Sequence, residues 1–200
     1  MRKLNSVIRP TDHGWPFCLL LLCGFFCFLA FPASARAGDA AIDEIIVTNS
    51  DTDLLLYLTA KNCFTTEMEK AVHNGIPATF TFYVDLLKTR KNWPDHKLES
   101  HGFSHTLTYD NLKEQYLIEL SEQNNKTITT GSLAQAKTLM AEVNGFKVSP
   151  LDDLTPDAVF QLKIKAKLAR KTLPLYFHYL IPFFSLWDFE TDWYTVEFRY

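Results

Sequence analysis

Three acids alternate near the end of the chain, Asp188, Glu190 and Asp192, in a stretch, SLWDFETDWYTVEF, that also holds Trp187 and Trp193. Two carboxylates that converge across a cleft can cleave a glycosidic bond. Carboxylates spaced along a glycine-hinged loop can hold calcium. The spacing speaks against both. Neighbours at i, i+2 converge only where the chain bends, and the stretch has no glycine for a sharp calcium-loop turn. The simpler reading is an acidic, solvated face at the start of a strand.

The other chemistry-bearing residues are scattered. His101 and His105 are four apart, a zinc-ligand spacing on a helix. On a strand the same spacing puts them on one face but about 13 Å apart, at about 3.3 Å per residue, too far to share a metal by themselves. The surrounding pattern is strand-like, so no metal site is expected. His73 and His178 stand alone. Cys63 has no base marked beside it and reads as a buried, inert thiol. Lys163, Lys165 and Lys167 line one face of a strand, with Arg170 and Lys171 beyond. Such a row keeps a sheet face wet and discourages edge pairing; its second reading is contact with phosphate headgroups at a membrane surface. The chain contains no G-x-S-x-G, P-loop, dinucleotide fingerprint or C-x-x-C. No catalytic residue and no cofactor is therefore expected.

The first residues differ from the rest. Arg2, Lys3 and Arg9 precede an uncharged run, Trp15 to Pro32, followed by Ala33-Ser34-Ala35 and Ala35-Arg36-Ala37. Basic, apolar and small-residue parts in that order make a secretory signal over residues 1–37. The alternative is an uncleaved N-terminal anchor helix, for which the run is at the short end. Either way the remainder is expected outside the cytoplasm, in the periplasm, free or tethered to the inner membrane. Beyond residue 37 there remain 16 basic and 22 acidic residues, a net charge of −6. That balance argues against a nucleic-acid partner. Cys18, Cys23 and Cys27 fall in the leader, which leaves Cys63 alone and an exported domain without an internal disulfide. With 47% hydrophobic and 22% charged residues the chain has the means to build a core instead.

The elements that must position these residues are mostly strands. AIDEIIVTN and DLLLYLTAK read as a hairpin about Ser50-Asp51-Thr52. A helix over 66–74 opens on Thr66 with Glu69 as its capping box and closes at Gly75 before Pro77. The next segment alternates, with Phe80, Phe82, Val84 and Leu86 on one face and Thr79, Thr81, Tyr83 and Asp85 on the other. It turns at Asn92 to Asp95 and returns as KLESHGFSHTLTYD, with EQYLIELSEQ as a third strand. Strands this long call for bulges, with Gly102 as a candidate, or for bends that carry a strand between sheets. A second helix opens at Ser132, with Gln135 completing another capping box, buries Leu133, Ala136, Met140 and Val143, and stops at Gly145. AVFQLKIKAKLARK and Trp193 to Tyr200 supply the last strands. The fold class is α+β, mainly antiparallel β with sandwich-like sheet packing, over a single domain at 41–200. The two short helices sit at its edges or ends.

The strand pair, EMEKAVHNGIPATFTFYVDL, the hairpin about NWPD, LTYDNLKEQYLIEL and the closing SLWDFETDWYTVEF together resemble the bacterial domain-of-unknown-function family 4390 over almost all of the mature chain. The Asn74-Gly75-Ile76-Pro77 junction and the Trp187 to Phe198 block carry most of the likeness. The resemblance implies an exported envelope protein of Gram-negative bacteria, with no assigned activity and no site residues to transfer. The family's frequent proximity to sensor-kinase genes implies an envelope membrane protein as partner. The aromatic run before the acids, LPLYFHYLIPFF, reads first as a lid on the sandwich and second as a contact surface for lipid or a partner. Tyr176, Phe183, Phe184, Trp187, Asp188, Asp192 and Trp193 are the expected contact residues. The functional reading is a non-catalytic periplasmic interaction domain. A carrier of an apolar ligand is second, and a hydrolase using one of the acids with a histidine is third.

Overall fold

The structure, a computed structural model, describes residues 40–169 and 190–200. The described chain runs β1 (Ala41–Asn49), β2 (Asp53–Lys61), α1 (Thr66–His73), β3 (Ala78–Lys88), β4 (His96–Asp110), β5 (Gln115–Leu120), β6 (Lys126–Thr130), α2 (Leu133–Ala141), β7 (Glu142–Pro150), β8 (Val159–Ala169) and β9 (Tyr194–Arg199). Every strand pair is antiparallel. Three strands form one sheet in the order β1-β2-β7, and six form the other in the order β6-β5-β4-β3-β8-β9. The α+β, mainly antiparallel architecture with two sheets and two short helices is the one the sequence pattern implies. The expected N-terminal signal or anchor helix lies outside the described residues.

The alternation of β3 sets the core. Phe80, Phe82, Val84 and Leu86 are fully buried, and so are Leu168, Ala166, Ile164 and Leu162 opposite them on β8. Leu54, Leu56 and Leu58 of β2 and Val143 and Val148 of β7 meet them from the smaller sheet in one continuous apolar cluster. Each large side chain buried in this way stabilises the fold by about 1.5–3 kcal/mol relative to exposure. Three strands cannot cover six. Helix α2 packs on β4, β5 and β6 as well as β2, and α1 on β4. The helices thus extend the smaller layer over the larger sheet, where the sequence placed them at edges or ends.

Several local expectations are corrected. The cap of α1 is Thr65, whose Oγ1 accepts from the Met68 N–H at 3.2 Å, one residue before Thr66. Gly75, at φ +83, does close that helix. Helix α2 starts on Ser132 as expected, but the Gln135 side chain accepts from Thr130 Oγ1 at 2.6 Å instead of completing a box. It ends at Ala141, and Val143 is buried from strand β7. Gly145, read as the helix stop, lies inside β7 at φ +72. Leu56 pairs Phe146 and Leu58 pairs Val143, so Tyr57 alone opposes two residues, a bulge whose left-handed position glycine fills. Gly102 instead pairs Tyr83 in regular register, and the β3–β4 bulge falls between Leu86 and Leu87. The lysine-bearing β8 is no edge, since it pairs with β3 on one side and β9 on the other.

Candidate interaction surface

The outward face of the six-stranded sheet carries the lysine row of β8. Register places Lys163, Lys165 and Lys167 of β8 beside Asp85, Tyr83 and Thr81 of β3. On the other flank of β8 the chain arrives at Glu190, which bridges Lys167. Between that bridge and the β9 ladder, which reaches the Ile164–Tyr194 pair, the arriving chain carries one residue more than β8. Thr191 takes up the excess. It is buried; its N–H donates to the Ala166 carbonyl at 2.9 Å, and its Oγ1 accepts from the Ala166 N–H at 3.0 Å while donating to the Asp192 carbonyl at 2.9 Å. The hydroxyl replaces a missing ladder bond, so both backbone groups of Ala166 are satisfied.

This seam fixes Glu190 and Trp193 on the surface. Glu190 pairs with Lys165 through one oxygen and with Lys167 at 3.0 Å through the other. The hydrogen bond from Lys165, then that from Lys167, holds its carboxyl below the usual range. The Lys165 ammonium also lies 5.6 Å from the centre of the Trp193 ring. Exposed ion pairs of this kind add little stability. Their effect here is to orient: Trp193 remains 47% exposed on a prepared mount. Asp192 beside it is also exposed.

Tyr83 stands on the far side of Lys165, which it faces across the β3–β8 ladder. It is 40% exposed, and its ring lies over Gly102, 3.9 Å from where a Cβ would stand. Asp85, two residues on, accepts from Lys97 and from Ser100 Oγ, each at 2.6 Å. Burial works to raise its pKa, but the Lys97 and Ser100 hydrogen bonds and the nearby Lys97 and Lys163 charges prevail and lower it. The surface is a polar sheet face with two aromatic rings on either side of a lysine row. Asp85 and Glu190 are occupied by cations, and an ionised, cation-bound Glu190 makes a poor proton donor at neutral pH.

His73, His101 and His105 serve packing. His101 Nε2 lies 2.7 Å from the Val148 carbonyl of β7 and joins the two sheets. His105 is wholly buried; Nδ1 lies 3.0 Å from the Met140 carbonyl at the end of α2 and Nε2 lies 3.2 Å from Glu122. His73 is exposed, stacks on Tyr109 at 4.6 Å and lies 3.4 Å from the Tyr116 hydroxyl. Cys63 is buried, donates to the Ala60 carbonyl at 3.5 Å, and is pushed by burial up to about 11. Among the described residues no group of His, Cys, Asp and Glu is arranged to hold a metal ion.

Of the contact residues expected from the sequence, Trp193 falls on this face, and Asp192 is exposed beside it. Tyr176, Phe183, Phe184, Trp187 and Asp188 lie outside the described residues, as does His178. Sequence reasoning passed over Tyr83, although it stands on the outward set of β3 and the partner strand offers a glycine. It also read the lysine row as solvated, without seeing that Glu190 would be carried onto it. Among the described residues no helix is long and apolar enough to cross a membrane. No curated protein and no solved structure matches the chain. A family model does match, over residues 37–197, and the chain belongs to that family, the domain of unknown function DUF4390.

Proposed function

We propose that the chain is exported and works in the periplasm as a non-catalytic interaction domain, with the outward sheet face around Trp193 as its contact surface. The leader pattern in residues 1–37 supports export. The observation that carries the contact reading is the mounting of Trp193. A half-exposed indole gripped through Lys165 and Glu190 has little freedom left to lose on binding. Trp and Tyr dominate the energetics of protein interfaces for this reason. A membrane protein with a periplasmic portion is the kind of partner that an exported domain of this sort meets.

Gentle crosslinking of envelope extracts tests the reading. The full chain should give a discrete adduct that weakens about thirtyfold or more in Trp193→Ser with Tyr83→Ser, an effect of hot-spot size. Unchanged circular dichroism would show that the variant is folded. A solitary wild-type protein, or an adduct indifferent to both substitutions, would remove the proposal. For export, residues 1–37 fused to a reporter that folds only outside the cytoplasm should give an active reporter; an inactive one contradicts that part.

A further inference from the structure

The loop from Thr89 to Asp95 joins β3 to β4 and has the sequence TRKNWPD. Four basic side chains, Lys88, Arg90, Lys91 and Lys97, stand against one acid, Asp95, within ten residues of a chain whose net charge is −3. Trp93 at its apex is 75% exposed. The loop is well braced. The Thr89 N–H donates to the Val159 carbonyl at 2.9 Å, Lys88 Nζ to Thr155 Oγ1 at 2.9 Å, and the Arg90 N–H to Asp95 Oδ1 at 3.3 Å. Asn92 takes a left-handed φ of 69°, and Pro94 confines the backbone of Trp93. Arg90 and Lys91 are exposed and make no ion pair among the described residues.

An isolated exposed aromatic requires no explanation. An indole held at the apex of a turn beside two unpaired cations, Arg90 and Lys91, has a specific chemistry; Lys97, on the other side, is held by Asp85. Indoles settle at the headgroup level of bilayers, with the ring against the acyl boundary and the N–H in the wet layer. Lys and Arg next to an anionic leaflet are drawn to its phosphates. We propose that this hairpin tip docks on an anionic phospholipid surface, with Trp93 at headgroup depth and Arg90 and Lys91 on phosphates. The lysine row of β8 is the less suitable candidate, because Lys165 and Lys167 are already bound to Glu190. The patch is also too small for a nucleic acid, which needs a basic stripe to follow its backbone. The inference rests on export only for where the protein meets lipid, and it can fail independently of the Trp193 surface.

Tryptic cleavage of the full chain reads the tip directly, whatever the leader does in the bilayer. The bonds after Arg90 and Lys91 lie in the tip, and Lys113, exposed in the hairpin at the other end of β4, is an internal control. In phosphatidylcholine vesicles containing phosphatidylglycerol, cleavage after Arg90 and Lys91 should slow about tenfold relative to phosphatidylcholine alone, as a few basic residues near an anionic surface allow. Cleavage after Lys113 should not change. About 0.5 M salt should remove the protection, and Trp93→Ala should weaken it severalfold. Equal rates in the two vesicle types overturn the proposal. So does full protection in Trp93→Ala, or equal protection by a soluble polyanion such as heparin, which would make the tip a site for free polyanions.

Discussion

His105 has no solvent exposure, yet both ring nitrogens meet acceptors, the Met140 carbonyl and Glu122. Removing the ring would strand a helix-end carbonyl and a carboxylate that is itself only 7% exposed. His105→Ala should therefore cost about 3 kcal/mol or more in urea unfolding, the range for breaking a buried polar pair. Burial alone would raise the pKa of Glu122, but the His105 hydrogen bond and charge prevail and hold it below its ordinary 4.5. A depressed folded value gives stability that is present above 4.5 and lost as pH falls through the folded pKa. Unfolding midpoints should thus drop from about pH 6 to about pH 3, and Glu122→Gln should flatten part of that slope. Asp85 and Glu190, also depressed, contribute to the remainder. A slope identical in Glu122→Gln would show that the pair does not carry this dependence. Thr191→Val keeps the shape of a buried side chain and deletes the oxygen that serves Ala166 and Asp192. It should cost about 1–3 kcal/mol, the penalty for a buried N–H left without an acceptor; a neutral substitution would deny Thr191 its place in the seam.

Glycine at position 145 distinguishes the two elements that sequence reasoning ran together. Its φ of +72 is expensive for any other residue, and a Cβ there would come within 3.3 Å of the Tyr57 hydroxyl. Gly145→Ala should destabilise by about 1–2 kcal/mol, read from the shift in denaturant midpoint. An unchanged midpoint would mean that the bulge relaxes freely. The same glycine explains the misreading of α2. A glycine after a run of helix formers looks like a C-cap, and the same residue type serves a bulge in a strand. Local sequence does not separate these, because the difference lies in pairing with β2, about ninety residues upstream in the chain. Strand β6, KTITT, was missed because its one large apolar residue, Ile128, gives no alternation to read. Where a buried face repeats, as in Phe80, Phe82, Val84 and Leu86, the reading was sound in identity and in face. The candidate surface was legible in part: Trp193 and Asp192 were named, while the grip of Lys165 and Lys167 on Glu190 depends on the added residue at Thr191, which no spacing rule reveals.

At the scale of the molecule, the inner faces of the two sheets and the helices merge in a single apolar cluster, and Cys63 is buried as a free thiol within it. Cohesion among the described residues thus comes from packing. The polar groups divide by layer. Those turned inward, His101 and His105, tie β4 to β7 and to α2. Those turned outward, Asp85 and Glu190, are held by lysines and leave the Tyr83 and Trp193 rings projecting. An outward sheet face prepared in this way is the central element of the proposed function. A photo-activatable amino acid placed at position 193 of the full chain, and separately at Thr129 on the exposed outer face of β6, tests it most directly in living cells. The account predicts a discrete crosslinked protein from position 193 and none from position 129. Identical patterns from both positions, or no adduct from 193, would contradict it.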